Sequence, residues 1–230
     1  MYKEYFRDRG VDFNMYKNYE VPKYLACRLG GDKNIFILDI GCGFGQFING
    51  CKKLGYKNIK GIDLSEEAVK FCKQNGMDVE KIDVKKYLNK KFDVIYMGHI
   101  LEHLPKNEVI NTLWHINTNL LNENGSLFIM VPNAQSNTDC YWAYEDFTHN
   151  TLFTAGSLLF VLKEAGFKNI EFLDIDGTSG STGLKKTIKK YLLKIYIINK
   201  LFWNKVTGSY YHQPSPMIFT WELKCVAKRG

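Results

Sequence analysis

The chain has 230 residues, of which 45% are hydrophobic and 14% aromatic, and its formal net charge at pH 7 is +7. This length suits one packed α/β domain. The six cysteines are scattered without a C-x-x-C pair, so we expect no disulfide framework, no zinc site and a reduced, cytoplasmic compartment.

The positive charge is concentrated in one segment. Seven lysines and no acidic residue lie between Lys185 and Lys205, which leaves 24 basic and 24 acidic residues elsewhere. We therefore expect no nucleic-acid partner. The charged N-terminus is unlike a signal peptide, and no run approaches the roughly 18 consecutive apolar residues of a membrane span.

The first half of the chain alternates strands with helices after an N-terminal helical cap, expected over residues 1–34 with a helix near 21–29. The predicted elements that follow are a strand at 35–40, a helix at about 45–54, a strand at 58–62, a helix capped by Ser65 and a short strand near 78–82.

The second half continues the alternation and then departs from it. Its predicted elements are a strand at 92–97, a helix at 107–121, a strand at 126–131, a helix at 155–165, a strand at 167–175, a loop at 177–183, a lysine-rich helix at 184–206 and a last strand within 217–227. Trp221, Leu223 and Cys225 alternate with charged residues, which predicts a half-exposed last strand. Strands that alternate with helices indicate parallel βαβ units and an α/β fold.

A glycine-rich turn follows the first predicted strand. It reads Asp39-x-Gly41-x-Gly43-x-Gly45, and a helical pattern begins directly after it. Glycines allow the backbone to approach a ligand closely, and the helix N-terminus offers free N–H groups. Asp63 ends the second strand, 22 residues after Gly41, which is about the ~20-residue offset of an acid that binds ribose hydroxyls.

The spacing of these glycines disfavours an NAD-linked oxidoreductase. The dinucleotide fingerprint requires glycine where Gln46 stands. The carboxylate of Asp39, placed before the first glycine, would repel a pyrophosphate and suits a ligand that carries an ammonium group. The segment Leu38-Asp39-Ile40-Gly41-Cys42-Gly43-Phe44-Gly45 resembles the first motif of the class I methyltransferases that use S-adenosylmethionine.

That resemblance implies a doubly wound, mostly parallel sheet of seven strands within residues 35–230. The last strand would be antiparallel and enter as a hairpin beside the fifth. The 184–206 helix would be an insertion. The cofactor would be S-adenosylmethionine, with S-adenosylhomocysteine as the product.

The resemblance also assigns cofactor contacts to particular residues. Asp39 would bind the ammonium group, and Asp63 the ribose. The further residues implied are Gly41, Gly43, Gly45 and Phe47 at the glycine turn, Leu64, Asp83 and Val84 at the adenine, and Met97 and His99 near the sulfonium.

Four histidines are candidates for a general base, because a hydroxyl acceptor must lose its proton. His115 lies within a predicted helix, and His99 and His103 follow the fourth strand. We favour His149, with Asp146 three residues earlier to orient it, and name His103 as a supporting residue. A role for His149 in capping the following helix remains open, as does a metal-dependent variant that uses Asp139, Asp146 and His149; no metal is expected in the favoured mechanism.

The phrase around His149, D-x-T-H-x-x-x-F-T, resembles bacterial methyltransferases that act on cell-surface saccharides. Tyr141, Trp142, Tyr144 and Phe147 could stack on a sugar. We therefore predict O-methylation of a sugar or of a phosphate-type group, such as a phosphoramidate, in capsular polysaccharide or lipopolysaccharide biosynthesis. The alternatives are a small-molecule or lipid-linked N- or O-methyltransferase at the membrane surface and a non-catalytic scaffold that binds S-adenosylmethionine.

The lysine-rich segment is predicted to be an amphipathic helix. Its apolar face contains Leu184, Ile188, Leu192, Ile195 and Phe202, with most lysines opposite. Such a helix is typical of peripheral contact with an anionic membrane, here the inner face of the cell membrane. A lid or a dimer element is the alternative, and we expect a monomer or a homodimer.

Overall fold

The computed structural model describes residues 17–88, 90–213 and 215–230. Residues 1–16 of the predicted N-terminal cap lie outside this range. Within the described residues, a short helix (α1) spans Lys23–Ala26, which is shorter than the predicted helix at 21–29. Leu25, Val21 and Leu29 are buried against the sheet.

Seven strands in the described part of the chain form one sheet with the order β3-β2-β1-β4-β5-β7-β6. The strands are β1 Phe36–Ile40, β2 Asn58–Asp63, β3 Val79–Lys81, β4 Phe92–Gly98, β5 Leu121–Pro132, β6 Lys168–Phe172 and β7 Glu222–Lys228. Neighbouring strands from β3 to β5 are parallel. Strand β7 is antiparallel to both β5 and β6, so the predicted fold class is confirmed.

The larger helices cover both faces of the sheet. They are α2 Gln46–Lys53, α3 Glu66–Gln74, α4 Val109–His115, α5 Tyr141–Glu145, α6 Ala155–Glu164 and α7 Gly183–Thr207. One core packs α4 and α6 on one face through residues such as Leu113 and Leu158. The other core packs α2 and α3 through residues such as Ile48 and Val69. This three-layer arrangement leaves the carboxyl ends of β1 and β4, where the strand order reverses, open for a ligand.

The predicted boundary between helix 107–121 and strand 126–131 is wrong. Helix α4 ends at His115, a π-helix occupies Ile116–Leu120, and β5 begins at Leu121. Leu121 pairs with Phe92 before a register shift in the ladder. Asn124 takes a positive φ of 64°, so the expected turn is accommodated within the strand.

The last strand is not half-exposed as predicted. It begins at Glu222, and all its residues except Lys228 are buried, because β7 lies between β5 and β6 and has both faces covered. Trp221 precedes the strand and is 49% exposed. The helix α5, in the polar and aromatic loop after β5, was not predicted from the sequence.

Helix α7 contains no buried residue. Its more protected positions are Leu193, Tyr196, Ile197, Lys200 and Asn204, which share one face at 3.6 residues per turn. Tyr196 meets the ring of Phe219 at 5.9 Å, so this face lies against the domain. No helix among the described residues is both long and apolar enough to cross a membrane.

Candidate functional site

A cavity of about 740 Å³ opens at the carboxyl ends of the central strands. Its size is that of a small-molecule site, for which roughly 300–1,000 Å³ is usual. Most of the predicted site residues line it: Asp39, Gly41, Gly43, Phe47, Asp63, Leu64, Asp83, Val84, His99, His103, Asp146 and His149. Residues that are far apart in the chain therefore line one cavity, and their roles in binding remain predictions.

Asp39 is the most informative residue at the glycine end of the cavity. It lies on the buried strand β1 and is only 2% exposed. Its Oδ2 has no hydrogen-bond partner in the part of the chain that the structure describes. Burial and the nearby charge of Asp63 raise the pKa of Asp39 well above its usual value. A buried carboxylate without a partner is costly, so this position fits a ligand that brings a cation.

The glycine turn holds its shape through positive φ angles. Gly41 has φ +69°, and a Cβ there would collide with the side chain of Ile100. Gly45 has φ +78° and precedes the first residue of α2. An L-residue at either position would strain the backbone, so the turn depends on glycine.

Asp63 links the turn to the second strand. Its Oδ2 accepts a hydrogen bond from the Gly43 N–H at 2.8 Å, and its Oδ1 accepts one from the Ser65 N–H at 2.8 Å. Burial raises the pKa of Asp63, and these backbone donors act in the opposite direction. The carboxylate is thereby held at the cavity wall.

The next part of the wall combines apolar and polar groups. Leu64 is 54% exposed at the cavity. Asp83 accepts a hydrogen bond from the Lys85 N–H at 2.9 Å and caps a short 3₁₀ helix that begins at Val84. Ile82 also lines the cavity, so this wall offers an apolar surface beside a carboxylate, which suits a purine ring with an exocyclic amine.

Two of the predicted cofactor residues do not line the cavity. Met97 is fully buried because its side chain points from β4 into the core beside α4. Gly45 is the N-cap of α2, and a Cβ at this position would collide with the side chain of Met77. Phe47 does line the cavity and stacks on Tyr96 at 4.0 Å between ring centroids.

His99 follows β4 in a strained conformation with φ 56°. Its Nε2 lies 3.2 Å from Glu222 and its Nδ1 lies 3.4 Å from Glu102. Burial alone would lower the pKa of His99, but the two carboxylates outweigh it and raise the pKa to about 9. His99 is therefore an imidazolium at neutral pH, and its ring stacks on Trp221 at 5.7 Å.

Glu102 was not singled out from the sequence. It is 0% exposed, and neither carboxylate oxygen makes a hydrogen bond within residues 17–88, 90–213 and 215–230. Its backbone carbonyl accepts hydrogen bonds from the N–H groups of Asn150 and Thr151. These bonds tie the 3₁₀ helix at Leu101–His103 to the loop that carries His149.

The predicted Asp146–His149 pair has a different geometry. The Nδ1 of His149 bonds the carbonyl of Trp142 at 2.6 Å, whereas Asp146 Oδ2 lies 3.7 Å from the other ring nitrogen. Asp146 Oδ1 instead accepts from the Thr148 hydroxyl at 2.6 Å, and that hydroxyl lies 2.9 Å from His103 Nδ1. Asp146 therefore orients His103, and the Trp142 carbonyl orients His149.

Several other candidate residues are separated from the site. His115 bonds the carbonyl of Tyr87 at 3.0 Å and does not line the cavity. Asp139 is exposed and outside the cavity, so the set Asp139, Asp146 and His149 is not assembled. Of the four aromatic residues expected to meet a sugar, only Trp142 lines the cavity, because the short helix α5 leaves Tyr141, Tyr144 and Phe147 exposed.

The cavity wall contains aromatic residues that the sequence analysis missed. Trp221 lies 6.2 Å from Trp142 between ring centroids, and Tyr19 and Tyr96 also line the cavity. The sequence offered little indication that these two tryptophans meet, because Trp221 is about 80 residues from Trp142 along the chain. The antiparallel pairing of β7 with β5 brings them together.

Comparison with known proteins gives a family and partial relatives. A family model described as a methyltransferase domain matches residues 15–172. A ribosomal protein L11 methyltransferase from Lactobacillus johnsonii is 33% identical over 102 residues, which cover 41% of this chain and 30% of that protein. A ubiquinone biosynthesis O-methyltransferase from Pelagibacter ubique is 38% identical over 108 residues, which cover 44% of this chain and 43% of that protein. The chain thus spans less than half the length of these curated relatives.

Among solved structures, a SAM-dependent methyltransferase from Archaeoglobus fulgidus has a TM-score of 0.65 and 22% identity. The likeness covers 98% of this chain and 96% of that one. At this identity it establishes the fold.

Replacing Asp63 with alanine should weaken S-adenosylmethionine binding by about 10²-fold or more, because two charge-assisted hydrogen bonds are lost at ~1.5–3 kcal/mol each. Titration calorimetry measures the affinity. Glu66→Ala, which removes an exposed acid from the next helix, is the matched control and should bind normally. An unchanged affinity in Asp63→Ala would contradict the assignment.

Binding of the same ligand should strengthen as pH rises through the raised pKa of Asp39. Below that pKa the carboxyl carries a proton, and an ammonium group favours the carboxylate, so binding there releases the proton. Calorimetry in buffers of different ionisation enthalpy detects the release. Asp39→Asn should lose both the proton release and the pH dependence, and a wild-type affinity that is independent of pH would count against an ammonium contact.

Proposed function

The chain belongs to the methyltransferase domain family, and from this membership we propose that it transfers a methyl group from S-adenosylmethionine to an oxygen atom of a small acceptor. When bound, this cofactor supplies a methyl group that the adjacent sulfonium makes electrophilic. The remaining requirements are met by the protein, which must bind the donor, place the acceptor oxygen and remove its proton.

The observation that carries the proposal is the continuity of the cavity. One space joins the buried, unpartnered carboxylate of Asp39 and the ribose-type acid Asp63 to the cluster of Glu102, His103 and His149. A donor held at the first end would direct its reactive group toward the second. A scaffold that only binds the cofactor has no need of the second group of residues.

The donor end acts through charge and hydrogen bonding. Asp39 would hold the ammonium group, Asp63 the ribose hydroxyls and Asp83 the adenine amine. The imidazolium of His99 is a poor neighbour for a sulfonium on its own. Because Glu102 and Glu222 accompany it, the three side chains together carry a net negative charge that tolerates a cationic donor.

The acceptor end offers two imidazoles whose free Nε2 atoms can accept a proton. Burial lowers the pKa of His103, so this ring is neutral at pH 7. The side chain of His149 is only 6% exposed and is fixed by the Trp142 carbonyl. A hydroxyl acceptor placed against His149 would lose its proton to this nitrogen, with His103 and Asp146 in support.

The walls of the acceptor end favour a sugar or a phosphate-type group. Trp142 and Trp221 provide flat apolar faces. The indole N–H of Trp142 is buried and has no hydrogen-bond partner among the residues that the structure describes. An aromatic face beside a free donor suits a saccharide. With the phrase around His149, this supports a glycan precursor of a capsule or lipopolysaccharide as the acceptor class, while a phosphate-type oxygen would need no base.

A panel of nucleotide sugars and surface-glycan precursors tests the function by the gain of one methyl group in mass spectrometry. His149→Ala should lower the turnover number by about 10²–10⁴-fold and leave the affinity for S-adenosylmethionine unchanged. His115→Ala, in a histidine outside the cavity, is the control. Undiminished turnover in His149→Ala would remove this residue from the mechanism, and the absence of any methylated product would overturn the function.

The outer face of α7 supports a lipid-linked acceptor as a second candidate. Its apolar stripe of Leu184, Ile188, Ile195 and Phe202 is exposed and lies opposite the face that meets the domain. Lys194 and Lys205 follow one edge of the stripe and Lys185 the other, and no acidic residue lies in α7. An apolar surface edged by lysines is complementary to an anionic membrane, where each lysine contributes about 1 kcal/mol near the surface.

The chain should sediment with vesicles that contain anionic phosphatidylserine and should dissociate at high salt. Phe202→Glu should reduce binding because it places a negative charge within the stripe. Leu88→Glu, which makes the same kind of change at a remote exposed position, should bind as the wild type does. A stripe that mediates self-association instead would give a dimer in solution without vesicle binding, and that result would contradict the membrane contact.

A further inference from the structure

Three potential metal ligands meet at the acceptor end of the cavity. A carboxylate oxygen of Glu102 and one ring nitrogen each of His103 and His149 all lie within 4.8 Å of one another. Glu102 and His103 lie in the 3₁₀ helix after β4, and His149 lies in the loop before α6. Residues from two separate segments therefore converge on one point.

The hydrogen bonds around the two histidines determine which ring nitrogens are available. His149 Nδ1 faces the Trp142 carbonyl, which can only accept, so Nδ1 carries the proton. The Thr148 hydroxyl donates to Asp146, so it accepts from His103 Nδ1 at 2.9 Å. Both Nε2 atoms consequently keep a free lone pair. A histidine that donates its second N–H to a carbonyl or a carboxylate-linked group is characteristic of metal ligands.

Glu102 supplies a second indication of a cation site. It is 0% exposed, and neither of its carboxylate oxygens has a hydrogen-bond partner among the described residues. The imidazolium of His99 lies 3.4 Å away through its Nδ1, and its Nε2 contacts a second carboxylate, that of Glu222, at 3.2 Å. A buried carboxylate with so little compensation is costly to the fold.

We propose that Glu102, His103 and His149 bind a divalent transition-metal cation of the Zn²⁺ type. Two imidazoles and one carboxylate form a recognised ligand set for such cations and leave coordination positions open. The residues differ from the set Asp139, Asp146 and His149 considered from the sequence. Asp146 contributes by orienting His103 through Thr148, and Asp139 lies outside the cluster.

The site deepens the proposed function and rests on it for its role in catalysis. The acceptor oxygen would occupy an open position on the cation, which lowers the pKa of a hydroxyl. The O–H bond breaks, the proton leaves to solvent, and the oxygen lone pair forms the new O–C bond while the C–S electron pair stays on sulfur. In the cation-bound protein the two Nε2 atoms are ligands, so the cation replaces the base.

Co²⁺ titration of the full chain after dialysis against EDTA tests the site without any acceptor. The expected result is visible ligand-field absorption that saturates at one Co²⁺ per chain and is displaced by Zn²⁺. Glu102→Gln and His103→Gln should weaken binding by about 10²-fold or more. His115→Gln, in a histidine outside the cluster, should bind as the wild type does.

Thermal unfolding provides a second measurement that does not depend on spectra. Zn²⁺ should raise the unfolding temperature of the wild type, because it binds only the folded state, and should leave that of Glu102→Gln unchanged. Absence of Co²⁺ absorption and of a Zn²⁺-induced shift in the wild type, or equal effects in Glu102→Gln, would overturn the site.

Methyl transfer distinguishes this proposal from the function on which it rests. If the EDTA-treated chain methylates its acceptor as fast as the Co²⁺-loaded chain, the catalytic role of the cation is overturned and the function stands. Tight Co²⁺ binding without methylation of any acceptor would uphold the site and overturn the function.

Discussion

The site depends on a buried carboxylate near the end of the central strand β1, that of Asp39. Asp39 is only 2% exposed at the cavity wall, and its Oδ2 has no hydrogen-bond partner among the described residues. The glycine turn that follows brings backbone N–H groups and Asp63 to the same edge of the sheet. The fold therefore maintains a negatively charged recess whose charge is best balanced by a cationic ligand.

The end of the cavity that we propose for the acceptor also contains a buried carboxylate, with a different set of residues around it. Glu102 is buried, and the backbone of its 3₁₀ helix anchors the loop that carries His149. The Thr148 hydroxyl forms hydrogen bonds with both Asp146 and His103 Nδ1, so Asp146 orients His103 through Thr148. The result is a rigid group of polar side chains at the far side of the cavity, held by hydrogen bonds whose partners lie almost 50 residues apart. Such preorganisation is what alignment of a donor and an acceptor requires.

Helix α7 differs from the rest of the chain in how its surface is used. Helices of a compact domain normally turn their apolar stripe to the core, whereas α7 turns only its Tyr196 side to the domain and leaves Ile188 and Phe202 in solvent. The lysines carry the entire excess charge of the chain. The rest of the chain has equal numbers of basic and acidic residues, so the net attraction to an anionic surface originates in this one helix.

The sequence alone determined the fold class and the glycine turn, and it predicted that Asp39, Asp63 and Asp83 share one site, because these features depend on local strand–turn–helix order and on fixed short spacings. It also named His103, Asp146 and His149. The structure keeps Asp146 within 3.7 Å of His149, but it adds the Trp142 carbonyl to His149 and Thr148 to Asp146, which spacing did not predict. Only the tertiary structure placed Trp221 and Glu102 at the cavity, turned Met97 into the core and showed α7 with its apolar stripe outward. Those outcomes depend on strand pairing and packing between residues far apart in the chain, which periodicity does not encode.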